Sequence, residues 1–354
     1  MIGCISRHQA ERKLCRRTLL RAGLLALATL AGPPAQAQAP EQSKVEIWVV
    51  RDPQQAAPIA LAKELNYYRD EALDVTIRWI VSGTDMPSLL ATGDINIAGE
   101  SVITAAILRD KGIDIRYVMP TANIAGTQCI IIGPKAKIVA PKDLEGKKIG
   151  MAAGSYVAIA IRNMAKRYGV DYSKLIFVNL QPPDQAAALA HGDIDAMAVW
   201  QPWALAGVSL GGKIYFTGNK SFIEGSEKPA NWMYLDAGLN VRADYLAKNP
   251  DTVKAVMRAI LKAIDYINAN PIEQSAKRLS GPLMTPADEL TPIMKQNIYS
   301  ATVDQSIIDG AAELLTYGAD PGIGWLGKAF TPKELYDLAL LKQIAADQVK
   351  ANGF

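Results

Sequence analysis

The chain has 354 residues, 49% hydrophobic and 21% charged, a balance that fits a globular protein with room for one large or two medium domains. Its net charge of +3 is set by one end, where six basic residues (Arg7, Arg12, Lys13, Arg16, Arg17, Arg21) precede the apolar run 22–31 and the small-x-small pattern Ala35-Gln36-Ala37, so residues 1–37 read as an export signal. Cleavage after Ala37 takes six bases and one acid from totals of 38 and 35, leaving 32 and 34 in a mature chain of 317 residues, and such a near-neutral chain lacks the basic face that nucleic acid requires.

Within the signal, CRRTLLR (15–21) resembles a twin-arginine sequence with Cys15 where Ser or Thr is usual, and general secretion stays open. No Cys follows the apolar run to carry a lipid. Cys4 and Cys15 leave with the signal, so Cys129 has no internal disulfide partner and reads as a small packed hydrophobe in CIII.

Along the mature chain, 45–50 reads as a strand, 52–55 as a loop and 57–67 as a helix. Then come a strand at 75–81, the Gly83-Thr84 turn, a strand at 95–98, a helix at 102–108 and a strand at 113–119. Strands alternating with helices imply crossover connections, hence an α/β fold of mostly parallel sheets whose ligand edge lies at the strands' carboxyl ends. In this half that edge carries Asp52, Gly83, Thr84, Glu100, Ser101 and 121–123. Residues 128–132, stopped by Gly133-Pro134, read as a first crossing into a second lobe, and 231–241 as the return.

Between the crossings, 143–150 turns from a short helix into a strand, and Gly154 permits a tight backbone before Ser155 caps a helix over 156–167. A strand ends at Asn179, stopped by Pro182 and Pro183, and Asp184 caps a helix over 186–190 that Gly192 terminates. The alternating run 194–200 is a buried strand that delivers Trp200, Gln201 and Trp203 to a sheet edge. Past 241 the chain is almost wholly helical. Asn249-Pro250 opens a helix with Val253, Val256, Met257 and Ile260 on one face, Thr291-Pro292 and Asp304 open others, and Thr331 with Glu334 forms a capping box before a final helix over 335–349.

One unit occurs twice. DMPSLLATGDI (85–95) and DQAAALAHGDI (184–194) share Asp, Gly, Asp and Ile in register, a spacing too wide for a solenoid and suited to two lobes of like construction.

Catalysis has little to stand on. His191 is the only histidine of the mature chain and Cys129 the only cysteine, which supplies neither a zinc site nor a Cys/His pair. Ala153-Gly154-Ser155 lacks the Lys and the glycine spacing of a nucleotide loop, yet its amides at a helix start suit an anion. Trp200, Trp203 and Trp232 fall at a strand end, a loop and a crossing, where a small-molecule cleft would form and where each could equally be core.

NLQPPD, GDIDA and VWQPW, with GDINIAGES, DLEGKKIG and AAGS upstream, resemble the periplasmic substrate-binding components of ABC importers for aliphatic sulfonates, taurine and nitrate. The resemblance implies the two-lobed type II binding-protein fold with two crossing hinge strands: 44–130 with 238–354 as one lobe, 131–237 as the other. It places the ligand on Asp52, Gln54, Gln55, Gly83, Thr84, Glu100, Ser101, Gly154, Ser155, Tyr156, Trp200 and Gln201, and Trp232 joins them from its crossing. It implies a periplasmic monomer without cofactor or metal that hands a small organic anion to a membrane permease and ATPase. Acidic Asp52 and Glu100, with Arg51 the only base on these loops, argue against a bare inorganic anion and for a taurine-like ligand bearing a donor end as well. Nitrate, an aromatic carboxylate, a thiamine pyrimidine precursor and a ligand-sensing role remain alternatives. The synthase branch of that superfamily depends on histidines and a cysteine-rich motif that this chain lacks.

Overall fold

Thirteen strands among the described residues divide between two sheets, and the chain passes from one to the other twice. The computed structural model describes residues 39–225 and 227–354, so the export signal over 1–37 lies outside the described residues. In chain order the strands are β1 (Lys44–Val50), β2 (Asp74–Ile80), β3 (Ile97–Gly99), β4 (Ile115–Asn123), β5 (Gln128–Ile132), β6 (Lys148–Met151) and β7 (Ile176–Asn179). They continue as β8 (Ala196–Trp200), β9 (Lys213–Thr217), β10 (Lys220–Ser221), β11 (Lys228–Pro229), β12 (Asp236–Arg242) and β13 (Ile298–Tyr299). The first sheet has the order β13-β4-β12-β3-β1-β2 and the second β11-β10-β9-β5-β8-β6-β7.

The two sheets share one plan. In each, the strand that follows the duplicated segment (β3, β8) sits between a parallel neighbour (β1, β6) and an antiparallel strand entered from a crossing (β12, β5). Both copies close on a left-handed glycine, Gly93 at φ 88° and Gly192 at φ 86°, where a Cβ would be strained. The expectation of mostly parallel sheets holds for β2-β1-β3 and β7-β6-β8 and not for the full width, because the crossing strands and their neighbours pair antiparallel. Strand β5, read as a crossing, pairs on both sides within the second sheet, and the passage itself is the short 124–127 segment. The return passes through 232–235, where the Ile124 amide bonds the Leu235 carbonyl at 2.9 Å.

Local signals explain most elements. In β1 the exposed Lys44 and Glu46 alternate with buried Val45, Ile47 and Val49, the period of a sheet packed on one face. Helix α1 (Pro53–Glu64) begins earlier than its apolar spacing predicts: the Asp52 carboxylate caps the Gln55 amide at 2.8 Å and Pro53 takes the first position, so 52–55 is a cap and a first turn instead of a loop. Helices α2 (Met86–Leu90) and α3 (Val102–Asp110) complete this part of the first lobe. In the second lobe lie α4 (Val157–Tyr168) and α5 (Pro182–His191); Asp184 falls within the first turn of α5 and is not its cap. Helix α6 (Pro250–Ala269) buries Val253, Val256, Met257, Ile260, Ile264 and Ile267, and α7 (Gln305–Gly318) is capped by Asp304 on the Ile307 amide. Thr291 and Pro292 lie inside a helix that starts at Ala287.

The Thr331–Glu334 capping box forms, yet the long final helix does not. It breaks into Pro332–Leu335 and Ala339–Ile344 because Tyr336 leaves helical geometry, bridges Tyr117 of β4 and packs on its ring at 4.9 Å. Tertiary pairing there outweighs local helix preference.

Candidate functional site

The carboxyl ends of β1, β3 and β8, the start of α4 and both crossings meet around a small cavity. Its polar wall holds Asp52, Gln54, Gln55, Gly83, Thr84 and Glu100 from the first lobe and Gly154, Ser155 and Tyr156 from the second. Val50, Ile124, Gln128, Trp200 and Leu235 complete the lining. Among the described residues no Lys, Arg or His lines it, and two carboxylates do.

The first-lobe side is a chain of buried acceptors. The Gln55 side-chain amide donates to Glu100 Oε1 at 2.8 Å, and the Ser101 amide donates to the same oxygen at 3.0 Å. Glu100 Oε2 and the side-chain oxygens of Gln54 and Gln55 are buried without a partner. A Cβ on Gly83 would lie 2.7 Å from Glu100 Oε2, so glycine there keeps space open beside that oxygen. Burial raises the Glu100 carboxyl from 4.5 to about 7, and burial, with Glu100 nearby, holds Asp52 well above its ordinary range.

The second-lobe side offers donors. Around α4, the amides of Gly154 and Tyr156 make no hydrogen bond among the described residues, and Ser155 Oγ is buried without a partner. Ser155 is therefore not the cap that its position suggests. Its hydroxyl is left for whatever enters the cavity. The two first-lobe helix starts are already occupied: Asp52 caps α1, while Asp236 Oδ1 accepts from Ser101 Oγ at 2.6 Å and from the Val102 amide at 3.3 Å at the head of α3. The α4 start is the one of these three open to an external anion.

Three expected residues stand elsewhere. Ser101 is fully buried behind Glu100, and its hydroxyl is spent on Asp236. Gln201 bonds across the lobes through its carbonyl, which accepts from the Gln54 side chain at 2.6 Å, and it does not line the cavity. Trp232 packs among Phe216, Tyr168 and Arg167, an aromatic cluster that supports the return crossing. Trp203 lies on an outer groove with Trp79, Val81 and Met284. His191 is exposed at the end of α5, and Cys129 is buried in β5 with its thiol pushed up to about 12 by burial.

Sequence reasoning missed the apolar wall at Val50, Ile124 and Leu235, and also Gln128, which faces Trp200 across the β5–β8 ladder. It missed Asp236 as well. A lone polar residue opening an apolar run, QCIII or DAGL, was the available signal.

A family model described as NMT1/THI5 like matches residues 54–274. The taurine-binding periplasmic protein of Escherichia coli (strain K12) is 28% identical over 290 residues, covering 76% of this chain and 86% of that protein. Among solved structures, the alkanesulfonate-binding protein SsuA from Xanthomonas axonopodis pv. citri, bound to MOPS, superposes with a TM-score of 0.65 at 18% identity, covering 88% of this chain and 99% of that one. The periplasmic nitrate-binding protein NrtA from Synechocystis PCC 6803 gives 0.66 at 18% identity, with 88% and 90% covered. At that identity the structural likeness speaks to the fold alone: two mixed sheets flanked by helices in a two-lobed binding-protein architecture.

Proposed function

Because the chain belongs to the NMT1/THI5-like family, we propose that it is the periplasmic solute-binding component of an ABC importer and captures a small ω-amino sulfonate of the taurine type between its lobes. The observation that carries this is the polarity of the cavity: unpartnered acceptors on the first lobe, free amides and a free hydroxyl on the second. The ligand's ammonium would sit against Glu100 Oε2 and the Gln54 and Gln55 oxygens. Its sulfonate would take the Gly154 and Tyr156 amides and Ser155 Oγ, with Trp200, Ile124 and Leu235 covering the short apolar middle.

A bare anion such as nitrate satisfies only half of this set and leaves Glu100 facing it. The mature protein then acts by binding and release, exported by the signal at 1–37, and delivers its ligand as a monomer to a membrane permease and its ATPase. Its lobes are those of the two sheets, joined through 124–127 and 232–235.

Calorimetric titration of mature protein with taurine, ethanesulfonate, nitrate and hydroxymethylpyrimidine tests the assignment. Taurine is expected to bind at least tenfold more tightly than ethanesulfonate, which lacks the amine, and at a hundredfold excess over Kd to stabilise the fold by roughly 2.7 kcal/mol. Equal affinity for ethanesulfonate or nitrate would sink the role given to Glu100. Preference for the pyrimidine would move the site to an aromatic amine stacked on Trp200.

A further inference from the structure

The loop that follows α7 carries contacts to the second lobe that the cavity does not use. We infer that Asp320 and Trp325 of this loop, with Arg162 and Tyr156 at α4, form a clasp that holds the lobes together without ligand and so sets affinity from outside the site.

Asp320 Oδ2 accepts from Arg162 Nη2 at 2.7 Å, while its other oxygen accepts from the Gly322 amide at 2.8 Å, which orients the carboxylate from within its own loop. The Arg162 guanidinium also lies 5.3 Å from the ring centre of Tyr317, the penultimate residue of α7. Trp325 meets the Tyr156 ring edge to face at 5.1 Å and 72°, and Tyr317 backs it at 5.5 Å. The loop is anchored to the first lobe: Leu326 is buried, its amide bonds the Gly318 carbonyl, and the Gly327 amide bonds Asp110 at the end of α3.

Tyr156 connects this clasp to the cavity. Its ring takes Trp325, its hydroxyl lies 3.1 Å from Thr104 Oγ1 of α3, and the residue lines the site beside Ser155. Arg162, Asp320, Tyr317 and Trp325 line no part of it. They are positioning residues, and Tyr156 is the group they position.

The ion pair alone counts for little, since both side chains are about one-third exposed. Added to two ring contacts between lobes already tied by two crossings, it acts at the high effective concentration of an intramolecular contact. A clasp of this kind raises the fraction of ligand-free protein with its lobes together, and apparent affinity scales with that fraction.

The test uses mature protein in three forms: parent, Asp320→Asn, and Asp320→Asn with Trp325→Ala. Small-angle X-ray scattering of ligand-free protein needs no ligand at all, so its outcome stands apart from the proposed function. The expected result is a ligand-free radius of gyration that grows slightly in Asp320→Asn and further in the double variant, with the taurine-bound radius unchanged and Kd weakened about three- to thirtyfold in the double variant. Swapping the pair, Arg162→Asp with Asp320→Arg, should restore both readouts toward the parent. Ligand-free scattering identical to the parent in the double variant, or wider scattering with unchanged Kd, overturns the clasp. Silence of every ligand alongside a changed radius sinks the ligand assignment and leaves the clasp standing.

Discussion

Replacing Glu100 by Gln removes one buried charge and leaves its shape. The amide oxygen of Gln can still accept from the Gln55 side chain and the Ser101 amide, which both converge on Glu100 Oε1. What disappears is the cost of ionising a fully buried carboxyl, raised by burial from 4.5 to about 7. A folded state that holds its proton more tightly than the unfolded chain keeps that stability below about pH 4.5 and loses it as pH climbs to about 7. At 1.36 kcal/mol per unit the loss is roughly 3 kcal/mol. Glu100→Gln should therefore gain roughly 3 kcal/mol on the parent between pH 4.5 and pH 8. Asp52 and Asp236, also raised by burial, are present in both proteins and largely cancel. The assay is urea unfolding of ligand-free protein at the two pH values, with equal m-values as the check that the unfolded states match. Parallel stability curves for parent and variant would refute a buried, unpaired Glu100. In the same variant taurine affinity should fall, because the ammonium loses its charged partner, and in the parent it should weaken as pH drops below about 7.

Other substitutions separate wall from scaffold. Trp200→Ala should weaken taurine binding tenfold or more in calorimetry, the scale of one aromatic anchor; unchanged affinity would return Trp200 to the core. Ser155→Ala removes a hydroxyl that bonds nothing among the described residues, so stability to unfolding should hold within about 0.5 kcal/mol while affinity falls by about 1.5–3 kcal/mol. Ser101→Ala should do the reverse, costing about 1–3 kcal/mol in urea unfolding by stripping Asp236 of its hydroxyl, with Kd held.

Much of this protein could be read along the chain because its decisive signals are local. Alternating burial in 45–50, the amphipathic face of α6 and the glycines that end each copy of the duplicated unit depend on neighbours within a few residues. In a parallel arrangement the strand ends share one edge, so Asp52, Gly83, Glu100, Ser155 and Trp200 could be placed around a common cavity without coordinates. A spacing cannot say which way a side chain turns once it arrives. Ser101 and Ser155 both stand just before a helix at an inner strand end, and only the arrival of Asp236 from β12, 135 positions away, consumes one hydroxyl and leaves the other free. Trp232 carried the same crossing signal as the residues that do line the site, and Phe216 and Tyr168 claimed its ring. The tertiary structure decided these because each turns on two groups far apart in sequence competing for one partner, and that competition leaves no periodicity behind.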